Sequence, residues 1–315
     1  MLNENYNGLA PGAFETLSGE ATELAFEPAE YKERIRKVRK LMAEAAIDVL
    51  YVTTPEHVCW LHGYYASWYK ANAPMRYPQL YGTVIHVDHD HFIHFDNPTE
   101  LPVLAKCSIS TDNRFFTSRE ASVNVPFITR ELKAKGWLSG TVGMEHWSYV
   151  PNRAISTMLE GAFLAEGARV VDASSILRRA RLVKSPAEIR TIEKATTFAE
   201  VGIEALRREI RPGMTELELF GIVTAAMMKA GSEFPALIPI FNAVPVRDGR
   251  PVCQVIPWLA ARSSRRANSS PPTFAASTIA ITPTSCAASI SASRRRRCSP
   301  STRRPPASST SSATT

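Results

Sequence analysis

A break in composition after Pro251 constrains the fold of this chain more than any other feature. Between Cys253 and Thr315, 50 of the 63 residues are Ala, Ser, Thr, Pro or Arg, and no Gly, Tyr, His, Asp, Glu or Lys occurs. Such a segment has too little apolar surface to offset the entropy lost when its backbone is ordered. We therefore expect a folded body within residues 1–252 and a disordered, low-complexity tail over residues 253–315.

The distribution of charge also changes after Pro251. The tail carries nine arginines, whereas residues 1–252 carry 28 basic and 30 acidic residues. The run SRRRRCSPSTRRPP, Ser293–Pro306, is a pattern that can bind phosphates, which leaves open a nucleic-acid-binding protein acting through its tail. The mildly acidic body has no such signature, so we expect no specific nucleic-acid partner.

We see neither a signal-peptide pattern nor a transmembrane pattern in these residues. The opening MLNENYNGLAPGAFETL is polar, and no stretch approaches the roughly 20 apolar residues that span a bilayer. We expect no membrane partner and a cytoplasmic location. No cysteine pair has zinc or redox spacing, so Cys59 and Cys107 are expected to be small buried hydrophobic residues.

Apolar periodicity predicts alternating helices and strands over residues 30–173, after an extension over residues 1–29. Tyr31–Ala46 places Ile35, Val38 and Met42 at helical spacing between charges. Strands are predicted at 48–54, in a hairpin over 82–95, at 141–145 and at 168–173, and helices over 123–136 and from Pro151 onward. This alternation predicts an α/β domain.

Two capping boxes mark helix starts further along the chain. Ser185 is followed by Pro186 and by Glu188, and Thr215 is followed by Glu218, so each N-cap hydroxyl has a glutamate three residues later. The boxes predict helices over about residues 186–209 and 216–230.

Three stretches together resemble one family. DVLYVTTPEHVCWLHGY, RRARLVKSPAEIRTIEKA and IRPGMTELEL are similar, in order and spacing, to segments of the creatinase, prolidase and Xaa-Pro aminopeptidase family. The resemblance covers residues 30–250. It implies a creatinase-type N-terminal α/β domain over 30–173, a linker over 174–184 and the start of an α+β catalytic domain of pita-bread fold over 185–252, in a homodimer.

The family chemistry is implied by the resemblance alone. Its hydrolases hold two divalent metal ions (Mn, Zn or Co) with two Asp, one His and two Glu, and the metals polarise the scissile carbonyl and supply hydroxide. No Asp, Glu or His follows Pro251, so no metal ligand and no catalytic residue is assigned in this chain. The expectation is a metallopeptidase-type hydrolase of a small C–N-bonded substrate, either an Xaa-Pro peptide or an amidine or lactam-like compound, that is inactive in this truncated form. A metal-free hydrolase or lyase of a small osmolyte is the alternative within the fold, and a non-catalytic remnant in which only the N-terminal domain folds is another.

A shifted reading frame accounts for the composition of the tail. Ala, Thr, Pro and most Ser codons have C at the second position and Arg codons have G, as a GC-rich gene would give when its third codon base is read as the second. In the shifted frame, the codons of Pro272–Ala292 permit a segment that resembles the first metal-binding strand of the family. We therefore expect that the tail arises from a frameshift.

Arg76 and Asn242 are the predicted substrate-binding residues. Arg76 lies in YYASWYKANAPMRYPQLYG, and the corresponding loop of the family borders the active site of the partner subunit. The resemblance implies that its guanidinium pairs with a substrate carboxylate, the alternative being a stacked surface loop. Asn242 lies near the expected substrate pocket, as do Arg247 and Asp248, for which a simple turn is an equal explanation.

Histidines are the remaining candidates. The densest set of metal-capable side chains lies in one hairpin and comprises His86, Asp88, His89, Asp90, His91 and His94. Strand alternation would divide this set between two faces, which favours a solvated turn over a metal site. His57 and His62 flank the Gly63-Tyr64 step, where packing or hydrogen bonding is favoured over catalysis.

Overall fold

The computed structural model describes residues 23–65, 80–211 and 214–233, together with the backbone of two short strands near residue 250. The helices are α1 Pro28–Glu44, α2 Pro55–His62, α3 Leu101–Cys107, α4 Ala121–Ala134, α5 Arg153–Ala165, α6 Ser174–Ala180, α7 Pro186–Glu209 and α8 Glu216–Lys229. The strands are β1 Val49–Val52, β2 Gly82–His86, β3 Phe92–Asp96, β4 Asn113–Phe115, β5 Thr141–Met144, β6 Arg169–Asp172, β7 Val246–Arg247 and β8 Arg250–Pro251.

Six strands form one mixed sheet in the order β4-β3-β2-β1-β5-β6. β1 is antiparallel to β2 and parallel to β5, and β5 is parallel to β6. The predicted hairpin of β2 and β3 is confirmed, with Val84 paired to Ile93. The parallel half of the sheet, β1-β5-β6, therefore presents the carboxyl ends of its three strands at a single edge.

Both faces of the sheet are covered, as strand alternation requires. In β1, Leu50 and Val52 belong to the core beneath α1, α2 and α6, whereas Val49 and Tyr51 belong to the core beneath α4 and α5. All four side chains are buried because β1 is central and successive residues point to opposite faces. The predicted α/β fold class is confirmed.

Helix α5 begins two residues later than the sequence predicts. Pro151 lies before the helix, and Asn152 is the N-cap, its side chain accepting a hydrogen bond from the Ile155 N–H at 3.1 Å. Asparagine caps a helix because its side-chain oxygen takes one of the unsatisfied amide protons of the first turn. Both predicted capping boxes are present, at Ser185 and Thr215.

The segment predicted as a linker contains a core helix. Ile176, Leu177 and Ala180 of α6 are at most 2% exposed and pack in the same core as α1. This segment is therefore part of the hydrophobic core of the α/β unit up to Ala180. After Ala180 the chain leaves that core, and Leu182 and Val183 are 74% and 73% exposed before α7 begins.

Helices α7 and α8 pack against each other over a small core. Leu206, Leu219, Val223 and Met227 are its buried members. Gly202 lies at the closest approach, where a Cβ atom would come within 2.9 Å of Val223 Cγ1. The absence of a side chain at residue 202 therefore allows the two helices to come together.

A buried polar cluster joins α7 to the α/β unit, and we call it the clasp: Glu30, Arg34, Trp60, Ser185 and Glu188. Glu188 Oε1 accepts from Trp60 Nε1 at 2.5 Å and lies 3.2 Å from the Arg34 guanidinium. Ser185 Oγ donates to Glu30 at 2.7 Å, and Arg34 Nη1 donates to the Trp60 carbonyl at 2.9 Å. Glu188 thus closes the capping box of α7 and fixes that helix to α1 and α2.

Across the described residues, none of the helices is both long enough and apolar enough to cross a membrane.

Candidate functional site

A cleft lies at the edge where the carboxyl ends of β1, β5 and β6 meet. Thr54 follows β1, Glu145 follows β5, and Ser174 follows β6 at the start of α6. Ligands of open α/β sheets bind outside the carboxyl ends of the strands, because the loops diverge there and leave a crevice. The topology therefore marks this edge as the candidate site of the α/β unit.

Glu145 is the central polar group of the cleft. Its Oε2 accepts hydrogen bonds from the Thr53 and Thr54 N–H groups, both at 2.8 Å, and its Oε1 contacts His57 Nδ1. The residue is 6% exposed. One carboxylate thus holds the end of β5, the end of β1 and the first turn of α2 in a fixed arrangement.

The protonation states of this pair follow from its contacts. Burial alone would raise the pKa of Glu145, but hydrogen bonds from His57, Thr54 and Thr53 outweigh that effect and lower its pKa below the ordinary value. The Glu145 carboxylate is therefore ionised at neutral pH and accepts the hydrogen bond from His57 Nδ1. Within the described residues, Nε2 of His57 has no hydrogen-bond partner, and His57 lines the cleft.

The cleft has a volume of about 270 Å³. The lining includes the buried Glu145–His57 pair. It also includes one arginine from α6, one from the segment after α6, and the loop after β5. The lining residues are Thr54, Glu56, His57, Glu145, Trp147, Ser148, Ser174, Arg178 and Arg181. This volume suits a small molecule better than a drug-sized ligand, for which pockets are typically larger.

Aromatic side chains stand at the rim of the cleft. The Trp147 ring is 75% exposed, and the guanidinium carbon of Arg178 lies 5.6 Å from its centroid. Tyr149 is 54% exposed and donates its hydroxyl to Glu56 at 3.1 Å. Burial, with the Glu56 charge beside the ring, raises the pKa of Tyr149. The hydroxyl is therefore neutral and remains a donor to Glu56.

A second group of titratable residues is buried in the α/β core. His62 donates to or accepts from Ser108 Oγ and Thr83 Oγ1, each at 2.8 Å, and Thr83 Oγ1 also contacts His94 Nδ1 at 3.0 Å. Burial lowers the pKa of His62 well below its ordinary value and that of His94 to about 3. Both rings are neutral, so the expected packing and hydrogen-bonding role of His62 agrees with its contacts.

The histidines of the β2–β3 hairpin lie in two places: His86, His89 and His91 gather around the Trp137 ring, and His94 lies in the core. His94 is buried in β3, whereas His89 and His91 are exposed at the tip, and His89 stacks on Trp137 with ring centroids 5.6 Å apart. Within the described part of the chain, no three His, Cys, Asp or Glu side chains are arranged to hold a metal ion.

The predicted substrate-binding residues are not tested by the structure. Arg76, Asn242 and Asp248 lie outside the described residues, and for Arg247 only the backbone of β7 is described. Cys59 is buried as expected, whereas Cys107 is only half-buried.

Sequence reasoning missed Glu145 and Arg178 as site residues. Glu145 lies at the end of a predicted strand, and a carboxylate directly after a buried parallel strand is the signal that identifies such a residue. Arg178 offered no such signal, because its segment was read as a linker.

Comparisons with known proteins agree with this architecture. Residues 34–183 match the Creatinase/Prolidase N-terminal domain family. The chain is 26% identical over 239 residues to an ectoine hydrolase of Halomonas elongata, covering 69% of this chain and 56% of that protein. It is also 26% identical over 226 residues to an uncharacterized hydrolase/peptidase of Sinorhizobium fredii, covering 68% of this chain and 54% of that protein.

Among solved structures, an Xaa-Pro dipeptidase from Bacillus anthracis superimposes with a TM-score of 0.53 at 17% identity, covering 67% of this chain and 52% of that one. At this identity the likeness shows the fold alone. The chain spans about half the length of the curated relatives it matches.

Proposed function

We propose that the chain derives from a hydrolase of a small C–N-bonded substrate, because residues 34–183 match the Creatinase/Prolidase N-terminal domain family. The match to this domain is the observation that carries the proposal. The alignment with the ectoine hydrolase, 239 residues, is longer than the matched domain and therefore extends beyond it.

Two substrate classes follow from the relatives. The ectoine hydrolase supports ectoine or a related small solute, and the Xaa-Pro dipeptidase fold is compatible with a dipeptide whose second residue is proline. The sequence similarity to the ectoine hydrolase is the higher of the two, so a small cyclic solute is the first substrate to test.

Residues 185–252 are proposed to begin the pita-bread catalytic domain, and residues 253–315 are proposed to be read out of frame. Helices α7 and α8 begin with complete capping boxes, as expected for the entry to that domain. The chain lacks Asp, Glu and His after Pro251, so it does not supply the ligand set of a metal pair. We therefore propose that the 315-residue chain by itself has no hydrolase activity, and that the in-frame parent is a homodimer.

The test compares two proteins in the same assays. The 315-residue chain and the product of the shifted frame after Pro251 are each incubated with ectoine and with Ala-Pro, with and without Mn²⁺, Zn²⁺ or Co²⁺. We expect no turnover by the first protein and turnover of one substrate by the second.

Each unexpected result would contradict a different part of the proposal. Turnover by the 315-residue chain would contradict the proposed inactivity. A well-folded in-frame product that cleaves neither substrate would contradict the proposed reaction, and a shifted frame closed by stop codons would contradict the proposed origin of the tail.

A further inference from the structure

We propose that the cleft at the carboxyl ends of β1, β5 and β6 binds a small carboxylic acid that carries a flat ring, with Arg178 taking the carboxylate and Trp147 contacting the ring. This inference does not depend on the proposed hydrolase activity. It rests on three features of the described residues: an arginine without an acidic partner, an exposed tryptophan, and an imidazole nitrogen available to a ligand.

Arg178 is the first feature. It is exposed on α6 and forms no ion pair with the described residues, although its neighbour Arg179 pairs with Glu44 at 3.4 Å. Its guanidinium lies over the Trp147 ring instead, 5.6 Å from the centroid. A stacked guanidinium keeps its N–H edge free to bind a planar carboxylate with two parallel hydrogen bonds.

Trp147 is the second feature. An indole ring that is 75% exposed beside a concave surface is unusual, because tryptophan is highly buried on average. Its backbone N–H donates to Ser174 Oγ at 3.0 Å, which fixes the loop after β5 to the start of α6. The ring is therefore held in place at the rim by its backbone and by Arg178, which reduces the entropy cost of binding a ligand against it.

His57 is the third feature. Its Nδ1–H is directed to Glu145, so Nε2 is the ring nitrogen left for a hydrogen-bond partner in the cleft. The ring is 7% exposed and cannot turn without breaking the contact with a buried carboxylate. A polar group on the ligand would therefore meet a ring nitrogen of fixed position.

The charges around the cleft favour an anion over a cation. Glu145 is engaged by His57 and by two backbone N–H groups, and Glu56 accepts from Tyr149, so both carboxylates already have donors. Arg181 also lines the cleft but lies near Glu56 and Glu145, so the positive charge offered to an anion is that of Arg178. The volume of about 270 Å³ accommodates a compact carboxylate.

The experiment uses benzoate as the probe and the full chain as the protein. Binding is followed by isothermal titration and by the NMR signals of the tryptophan indole N–H groups. We expect millimolar affinity for benzoate, and affinities at least about tenfold lower for benzamide, which lacks the charge, and for acetate, which lacks the ring. Equal binding of benzoate and benzamide, or no binding of benzoate, would overturn the proposal without any variant.

Matched variants locate the site. Arg178→Gln is expected to weaken benzoate binding about tenfold or more, and Trp147→Leu to weaken benzoate but not acetate. Arg179→Gln, one residue along the same helix, is the control and should leave binding unchanged. Because all three side chains are largely exposed, far-UV circular dichroism should be unaltered. Undiminished benzoate binding by Arg178→Gln would place the anion elsewhere and overturn the assignment.

Discussion

The α/β unit and the α7–α8 pair differ in how their secondary structure is converted into a core. The central sheet of the α/β unit is covered on both faces, and the two cores that result contain most of the buried apolar side chains of the described residues. Both helices of the α7–α8 pair begin with a complete capping box. The core of the pair has only four buried apolar residues, and Leu217 is 65% exposed on its outer surface. A capping box fixes where a helix begins, but it does not supply another helix or sheet to bury the apolar face of that helix.

The clasp is the place where the α7–α8 pair is joined to the α/β unit by buried contacts. Glu188 is buried at 3% exposure although it belongs to α7, because its partners Arg34 and Trp60 are in the α/β unit. The first turn of α7 therefore shares the stability of the α/β unit, whereas the rest of the helix pair depends on its own small core.

The largest expected effect comes from truncating the central strand. Leu50→Ala removes a fully buried side chain of β1 and should lower the free energy of unfolding of the α/β unit by about 3 kcal/mol. Val223→Ala, also fully buried but in the helix pair, should leave that transition unchanged. Chemical denaturation followed by tryptophan fluorescence measures both. A similar loss in both variants would show that the two regions unfold as one unit.

A smaller effect is expected at the clasp. Glu188→Gln keeps the shape of the side chain but leaves the buried Arg34 with only Glu30 as an acidic partner, and should cost about 2 kcal/mol. Glu193→Gln, which is exposed on the same helix, is the control and should change stability by less than about 0.5 kcal/mol. Equal stability of the two variants would show that the clasp does not hold α7 to the α/β unit.

Acid should destabilise the α/β unit specifically. The folded-state pKa values of His62 and His94 lie below 6.5, so the unfolded chain binds protons that the folded chain excludes. The neutral rings of His62 and His94 make their full contribution to the free energy of unfolding above pH 6.5. As the pH falls toward 3, the free energy of unfolding decreases by about 1.4 kcal/mol per pH unit for each ring that stays neutral. Urea denaturation at pH 7, 6 and 5 measures the slope. The exposed pair variant His89→Gln/His91→Gln should retain it, and a flat profile in the original chain would contradict the neutral state of the buried rings.

The smallest effects compare two glycines of the helix pair. Gly221→Ala meets no atom within 4 Å and should stabilise α8 by up to about 1 kcal/mol through helix propensity. Gly202→Ala places a methyl group 2.9 Å from Val223 Cγ1 and should gain nothing or loosen the pair. Hydrogen exchange of the α8 amides is the readout. Equal gains from both substitutions would mean that α7 and α8 are not in close contact.

Much of the fold follows from local patterns in the sequence. The central helix–strand alternation, the β2–β3 hairpin and both capping boxes depend on residues near one another in the chain, and the structure has all of them. Helices α2 and α6 were missed because they are short and buried by tertiary contacts; neither shows a long amphipathic period. Proline favours the first position of a helix, which predicts that α5 begins at Pro151, but Asn152 supplies the capping oxygen and the helix begins at Arg153.

The cleft could not be predicted in the same way. Its key contacts join residues far apart in sequence, such as His57 with Glu145 and Trp147 with Arg178. Only the strand order brings these segments to one edge, and no periodicity within a segment specifies that order. Residue type alone singles out the histidine-rich hairpin as the densest set of metal-capable side chains, although the sequence already favours a solvated turn there, and it gives no indication of the cleft.

Hydrogen exchange resolved by residue tests the central claim, that an α/β unit with two large cores is followed by a helix pair with a small one. We expect the amides of β1 and β5 to exchange only through global unfolding, and those of α8 to exchange at least about 100-fold faster. Amides of α8 that are protected as strongly as those of β1 would show that the second region is equally well formed, and would contradict the account.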